Sequence, residues 1–237
     1  MSEFKDDDED FFGADGGSSD SDATSTGIDL SEGDLTSGVY KDIPVGTWLR
    51  VKFYDVTPGT VKSGNNFGKP KYQIAFMTAE DETEYGENRK FTVFANLFGK
   101  AFFIAFPILK SVGAAPTKDQ INAGHGKVFF SDEHSEEYPD DFPLTAKKTI
   151  PVGAYCFPAP SELTGKYIYA MVGEYSGDNS NFKRFASKKA ALAAKDDEGN
   201  PVNTKAYPQL TEFLSESDYE KLVANRRASM SEFKGDA

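Results

Sequence analysis

The chain has 237 residues, with 26 Lys and Arg against 38 Asp and Glu, for a formal net charge of −12. Hydrophobic residues make up 38% and aromatics 14%, and 20 Phe with 11 Tyr exclude a chain that is disordered throughout, because such chains lack rings to bury. No run of eighteen apolar residues occurs, which excludes a membrane-spanning helix, and one cysteine, Cys156, excludes an internal disulfide or a cysteine-rich zinc site.

The acidity is local. Residues 1–40 hold twelve acids and one base, Lys5, leaving 26 acids against 25 bases in the other 197 residues. The body is therefore nearly neutral, and a polyanion is not excluded as its ligand. The N-terminal MSEFKDDDED has no apolar stretch and does not read as a signal peptide. DDDEDFF (Asp6–Phe12) joins carboxylates to two rings, and the Gly/Ser/Asp run after it has almost nothing to bury. Residues 1–38 are expected to be a disordered acidic tail, either a solubilising leader or a peptide that docks on partner proteins. MSEFK recurs at Met230–Lys234 without a physical role that follows from it.

Residues 39–186 read as the folded domain. In TWLRVKFYDV, Leu49, Val51 and Phe53 alternate with Trp48, Arg50, Lys52 and Tyr54, which predicts a half-buried strand. Its outer side sets two cations between two rings, a composition suited to stacking on bases beside phosphates; alternatively, Trp48 caps the core from the strand's edge. The Gly/Asn-rich turn Thr57–Pro70 carries Lys62 and Lys69 and no acid. It reads as a long hairpin loop, solvated or closing on a ligand. KYQIAFMTA (Lys71–Ala79) and RKFTVFANLF (Arg89–Phe98) follow as strands, with Lys71, Lys90 and Phe94 on the side that bears Trp48.

Gly99–Gly113 predicts a helix with the stripe Phe102, Phe103, Phe106, Leu109 and Val112, kinked or divided by Pro107. Three strands and then a helix match the order of an OB-fold, whose helix bridges strands three and four. Residues 114–160 read as an insertion of loops with short strands at KVFFSD and near Thr149–Phe157. Glu162–Tyr175 reads as a strand whose Tyr167, Tyr169 and Tyr175 serve either the core or a ligand. Asn181–Lys195 is basic, with Lys183 and Arg184 beside Phe182 and Phe185 and an Ala-rich helical second half. Residues 187–237 are expected to be a helical C-terminal extension, with an amphipathic helix over 209–229. It packs on the body or on a second subunit, so a homo-oligomer is left open.

No enzymatic constellation occurs: there is no GxxxxGK[ST], HExxH or GxSxG. His125 and His134 lie in polar loops near Asp132 without a fourth ligand, so neither metal nor cofactor is expected.

The run PVGTWLRVKFYDVTPGTVKSGNNFGKPKYQIAFMTAED and the later ENRKFTVFANLFGKAFFIAFPILKSVG resemble phage-encoded single-stranded DNA-binding proteins. The likeness rests on Gly46–Phe53, Lys62–Asn65, Tyr72–Phe76 and Leu109–Gly113 in that order, then Leu163–Lys166, Tyr167–Tyr175 and Asn181–Phe185. It covers about residues 44–113 and 162–186; the long insertion and the N-terminal placement of the acidic tail depart from the pattern. The resemblance implies an OB-fold, a five-stranded barrel with a bridging helix. It also implies sequence-tolerant binding of single-stranded DNA in phage replication or recombination, in the cytoplasm of the infected bacterial host, with the acidic tail recruiting replication or recombination proteins.

Together, the residues and the resemblance give a mainly β fold with added helices and no enzyme activity. The expected DNA-binding residues are Trp48, Arg50, Lys52, Tyr54, Lys62, Lys69, Lys71, Lys90, Phe94, Tyr167, Tyr169, Lys183 and Arg184. Two rivals remain. One is a virion structural protein, such as a capsid decoration protein, without a nucleic-acid ligand. The other is a small nucleic-acid enzyme built on the carboxylates of 132–141.

Overall fold

The computed structural model describes residues 41–82, 84–86, 88–179 and 183–235. The acidic tail and Phe182 lie outside these residues. Tyr40–Ala237 form one compact unit.

Five antiparallel strands make one sheet in the order β3-β2-β1-β4-β5. They are β1 (Trp48–Thr60), β2 (Pro70–Thr78), β3 (Lys90–Asn96), β4 (Tyr167–Gly177) and β5 (Ala206–Leu214). β1 holds the centre because both of its edges pair, with β4 over residues 48–52 and with β2 over 51–60. Pro58, which cannot donate to a ladder, sits where β1 has one neighbour only. Pro208 is tolerated on β5 for the same reason.

The alternation read from the sequence is the one observed. Leu49, Val51 and Phe53 are fully buried, with Ile74, Phe76, Phe91, Ile168, Ala170 and Val172 on the same inner face. The small Ala170 and Val172 are thus core residues, and Tyr167 and Tyr169 face outward. A register shift between Phe53 and Asp55 leaves Tyr54 unpaired. This bulge puts Tyr54 and Asp55 both outside and returns Val56 to the core.

The sheet curls tightly around that core. β2 and β5 are three strand spacings apart in the order, about 14 Å on a flat sheet. Yet the rings of Phe76 and Phe213 lie 5.7 Å apart, centroid to centroid. The expected barrel is nonetheless not closed, because no ladder joins β3 to β5.

The link from β3 to β4 begins with a 3-10 turn, Gly99–Phe103, and α1, Ala105–Ser111. Pro107 falls in the first turn of α1, where its missing N–H is no loss. The expected apolar stripe holds in part: Leu109 is buried and Phe102 and Val112 pack against the core, whereas Phe103 and Phe106 are exposed and Ala105 and Ile108 are buried in their stead. The break in the helix before Ala105 rotates the second segment relative to a continuous helix.

The insertion was expected to hold strands at KVFFSD and near Thr149–Phe157. Here only isolated bridges form, Phe129 to Cys156 and Ser131 to Thr145. The segment is helical turns around packed rings. It contains α2 (Lys118–Ala123), capped by Thr117 and Gln120, and α3 (Pro160–Leu163). Phe130, Tyr138, Phe142, Tyr155 and Phe157 are buried and extend the core. Phe130 stacks on Phe157 at 4.5 Å and meets Phe142 edge-on at 5.0 Å. Tyr72 of β2 reaches into this cluster, where its hydroxyl donates to the Pro158 carbonyl at 2.9 Å and lies 3.1 Å from that of Tyr138.

The C-terminal reading needs correction. The last strand of the sheet is β5 at 206–214, inside the expected helical extension, and the helix expected over 209–229 begins at Glu216, as α5 (Glu216–Gly235). A second bulge interrupts the period of β5. Glu212 pairs with Met171 and Leu210 with Val172, leaving Thr211 extra. Buried Leu210 and Phe213 therefore stand three residues apart, a helix-like spacing on a strand. Gly173 makes room for the bulge, since a Cβ there would overlap the Thr211 side chain. Upstream, the expected helical half of the basic segment is α4, Lys188–Leu192.

Candidate nucleic-acid interface

The outer face of the sheet follows from the registers. Lys90 pairs with Met77, Met77 with Lys52, and Lys52 with Tyr167, so these four side chains cross the sheet in one row. Ala75 pairs with both Thr92 and Asp55 in the next row, beside the bulged Tyr54, and Gln73 pairs with both Phe94 and Thr57 in the row after. Lys71 ends the face opposite Asn96. On the other side of the Lys52 row come Arg50 with Tyr169 and Trp48 with Met171. Nine of the expected residues share this surface: Trp48, Arg50, Lys52, Tyr54, Lys71, Lys90, Phe94, Tyr167 and Tyr169.

Three of its rings are large, apolar and open to solvent: Tyr54 at 46%, Phe94 at 55% and Tyr167 at 42% exposure. Each carries a cation. Lys90 Nζ lies 4.2 Å from the centre of the Tyr54 ring, the Arg50 guanidinium 4.6 Å from that of Tyr167, and Lys71 Nζ 5.8 Å from that of Phe94. Such contacts contribute about 0.5–1 kcal/mol each at exposed sites, enough to orient the side chains but not to bury the rings.

Acids meet the cations along one border. Arg50 Nη1 lies 3.1 Å from Asp81 Oδ2, and Lys52 Nζ lies 3.7 Å from Glu80 Oε1. Both carboxylates are mostly exposed, so these pairs are weak and an incoming anion can replace them. Glu82 beside them has its pKa raised, chiefly by burial.

Lys62 and Lys69 lie in the hairpin loop beyond β1 and β2, which starts at the Lys71 end of the face. Val61 N donates to Lys69 O and Gly68 N to Val61 O, both at 2.9 Å, and close the loop's neck. Gly64 and Gly68 both take φ of 75°, as this tight loop requires. Lys62 Nζ bonds Asp141 Oδ2 at 2.8 Å, and that donor is the first cause holding the Asp141 carboxyl below its usual range. Phe67, at 70% exposure, stands between the two lysines. Sequence reading passed over it; the only signal was an aromatic inside a Gly/Asn turn.

Two expected residues are not part of the surface. Lys183 and Arg184 are exposed beside the bridge from Tyr175 to Phe185. Tyr175 is eight residues along β4 from Tyr167, about 26 Å. Tyr175 is itself buried, and its hydroxyl donates to Ile43 O at 2.7 Å.

At the other border α5 covers part of the face. The Tyr219 ring lies parallel to that of Tyr169, 3.8 Å away and tilted by 9°, and 5.8 Å from Trp48. Burial is the first cause raising the pKa of the Tyr169 phenol. Trp48 Nε1 is buried with no hydrogen-bond partner among the described residues, an arrangement that costs about 1–3 kcal/mol.

A separate cavity of about 600 Å³ lies in the insertion, lined by Glu133, His134, Tyr138, Lys147 and Cys156 among others. Burial pushes the Cys156 thiol up. Among the described residues, His134, Glu136 and Glu137 bring ligand atoms within 4.8 Å of one another. Glu137 is already committed, accepting from Ser161 N at 2.8 Å and Ser161 Oγ at 2.6 Å.

No described helix is long and apolar enough to cross a membrane. Compared with known proteins, the chain matches no family model, no curated protein and no solved structure.

Proposed function

We propose that the chain binds single-stranded DNA without sequence preference, as a phage replication or recombination protein acting in the cytoplasm of the infected host. The observation that carries this reading is the set of three exposed rings on one sheet face, each with a cation over it. Bases present their π-faces only when unpaired, so exposed rings favour a single strand over a duplex. The adjacent cations neutralise phosphates and release counterions, which supplies affinity without reading sequence.

The topology supports the OB-fold form of the reading. The first strand pairs with both the second and the fourth, a helix lies between the third and the fourth, and the barrel is left partly open. OB-folds bind oligonucleotides on the face of strands two and three and with the loop between strands one and two. Those are the positions of Lys71, Lys90 and Phe94 on the face, and of Lys62, Phe67 and Lys69 in the loop. By strand spacing, the path Phe94–Tyr54–Tyr167–Tyr169 runs about 27 Å, suited to the low end of the roughly 4–16 nucleotides that one OB-fold occupies.

The test is a titration with oligothymidine and with duplex at two salt concentrations, followed by gel shift and by Trp48 emission. Tight binding of the single strand, weakened by salt, is expected. Alanine at both Tyr54 and Tyr167 should weaken it at least about thirtyfold, since each stacked ring contributes about 1–3 kcal/mol. Unchanged affinity in a folded double variant would remove this surface from the binding site. No binding by the unaltered chain, together with co-purification with particles, would favour the virion component.

A further inference from the structure

The outer face is open at Tyr54, Phe94 and Tyr167 but covered at Trp48 and Tyr169. The covering group is the first part of α5. Asp218, Tyr219, Leu222 and Val223 are half-buried, whereas Ala224 to Arg227 are exposed. Among the described side chains of this 20-residue helix, the half-buried ones thus lie in its first two turns. Lys110 of α1 lies near enough to Asp218 to act on its carboxyl, but Lys221 and Ser215 of its own segment dominate there.

The mode of contact resembles a ligand more than a core. The Tyr219 ring lies flat on Tyr169 at 3.8 Å, the arrangement a base adopts on an aromatic platform. The same ring meets that of Trp48 at 5.8 Å, and Trp48 Nε1 is buried with no hydrogen-bond partner among the described residues. A packing contact selected only for stability would be expected to satisfy that donor or to exclude it. Freeing that donor would offset part of the cost of lifting the helix.

We propose that the start of α5 is a displaceable cover: Tyr219 holds the stacking place on Tyr169, and a single strand binds the full face by lifting the helix and setting a base there. The inference rests on the single-strand reading of this face. In the covered state three rings are free for a ligand; lifting adds Tyr169 and Trp48 and restores access to the indole N–H. The lock is an uncharged ring stack, so its strength is independent of salt, unlike the phosphate contacts it competes with.

The experiment compares the full-length chain with Tyr219→Ala and Tyr219→Phe, each checked for fold by circular dichroism. Oligothymidine affinity and acrylamide quenching of Trp48 are measured on all three. Tyr219→Ala should bind about five- to tenfold more tightly, with the gain the same at low and high salt, and its free form should show a more quenchable Trp48. Tyr219→Phe keeps the stack and should behave as the unaltered chain. If the alanine variant does not fold, Tyr219→Leu keeps apolar bulk on Trp48 while removing the ring, and should gain affinity in the same direction. Equal or weaker binding by the folded ring-deleted variant would overturn the cover and make Tyr219 a fixed wall of the site. Failure of every variant to bind any oligonucleotide would instead overturn the single-strand reading itself.

Discussion

The two faces of the sheet handle aromatic side chains in opposite ways, and β1 shows both within two consecutive residues. Phe53 is fully buried and meets Phe76 edge-on at 4.8 Å. Tyr54, outward by the strand's alternation and unpaired at the bulge, is nearly half exposed and is held by Lys90 rather than by other rings. On the inner face a ring removes area from water and contributes stability. On the outer face the same kind of area stays wet and contributes little to stability.

Substitution at the adjacent pair breaks or sharpens this contrast most strongly. Phe53→Ala leaves a cavity between β1 and β2 and should destabilise the fold by about 3–5 kcal/mol in urea unfolding. Tyr54→Ala should cost under about 1 kcal/mol, the loss of one cation–π contact. Comparable losses for the two would mean that Tyr54 belongs to the core and that the outer face is not reserved for a ligand.

How much of this was legible in the sequence depends on the range of the interaction. The alternation of Leu49, Val51 and Phe53 with Trp48, Arg50 and Lys52 is a local period, and it gave both faces of β1 directly. Bulges defeat such reading, because one extra residue shifts the phase: Thr211 sets the buried Leu210 and Phe213 three residues apart on one strand. The rings of the insertion were illegible for another reason. Phe130, Phe142 and Phe157 meet across Pro-broken loops with no common period, so only the folded chain shows them as one cluster. Tyr219 over Trp48 is the extreme case, a contact between the first strand and the last helix that no local pattern announces. Among the expected site residues, those on β1 to β4 came together because register carries them. Lys183 and Arg184 had only their charge to recommend them.

The inner face also predicts a pH response. Burial, the largest cause, pushes the phenol of Tyr72 far above its ordinary range, with Tyr138 next, and burial likewise raises Tyr138 and Tyr155. Burial favours the neutral phenol in the fold, while an unfolded tyrosine ionises near pH 10. Their contribution is thus fully present below about pH 10 and falls as pH rises above it, by up to about 1.4 kcal/mol per pH unit for a fully buried tyrosine. Urea midpoints measured at neutral pH and above pH 10 should show this decline, and Tyr72→Phe should flatten it. An equally steep decline in that variant would assign the alkaline loss to other groups and weaken the view of Tyr72 as the link between sheet and insertion.

The smallest effect bears most directly on the outer face. Lys90 is exposed, touches Tyr54 through its ammonium, and pairs in register with the buried Met77. If its purpose is to support the fold, Lys90→Gln should lower stability by more than the roughly 0.5–1 kcal/mol of an exposed cation–π contact. If it stands ready for a phosphate, stability should stay within that margin. The slope of log affinity for oligothymidine against log salt should then fall by about 0.7, the share of one phosphate contact on a single strand. An unchanged slope with intact stability would place the strand's backbone elsewhere, toward Lys62, Lys69 and Lys71. The cation over Tyr54 would then serve to orient the ring and not to meet the ligand.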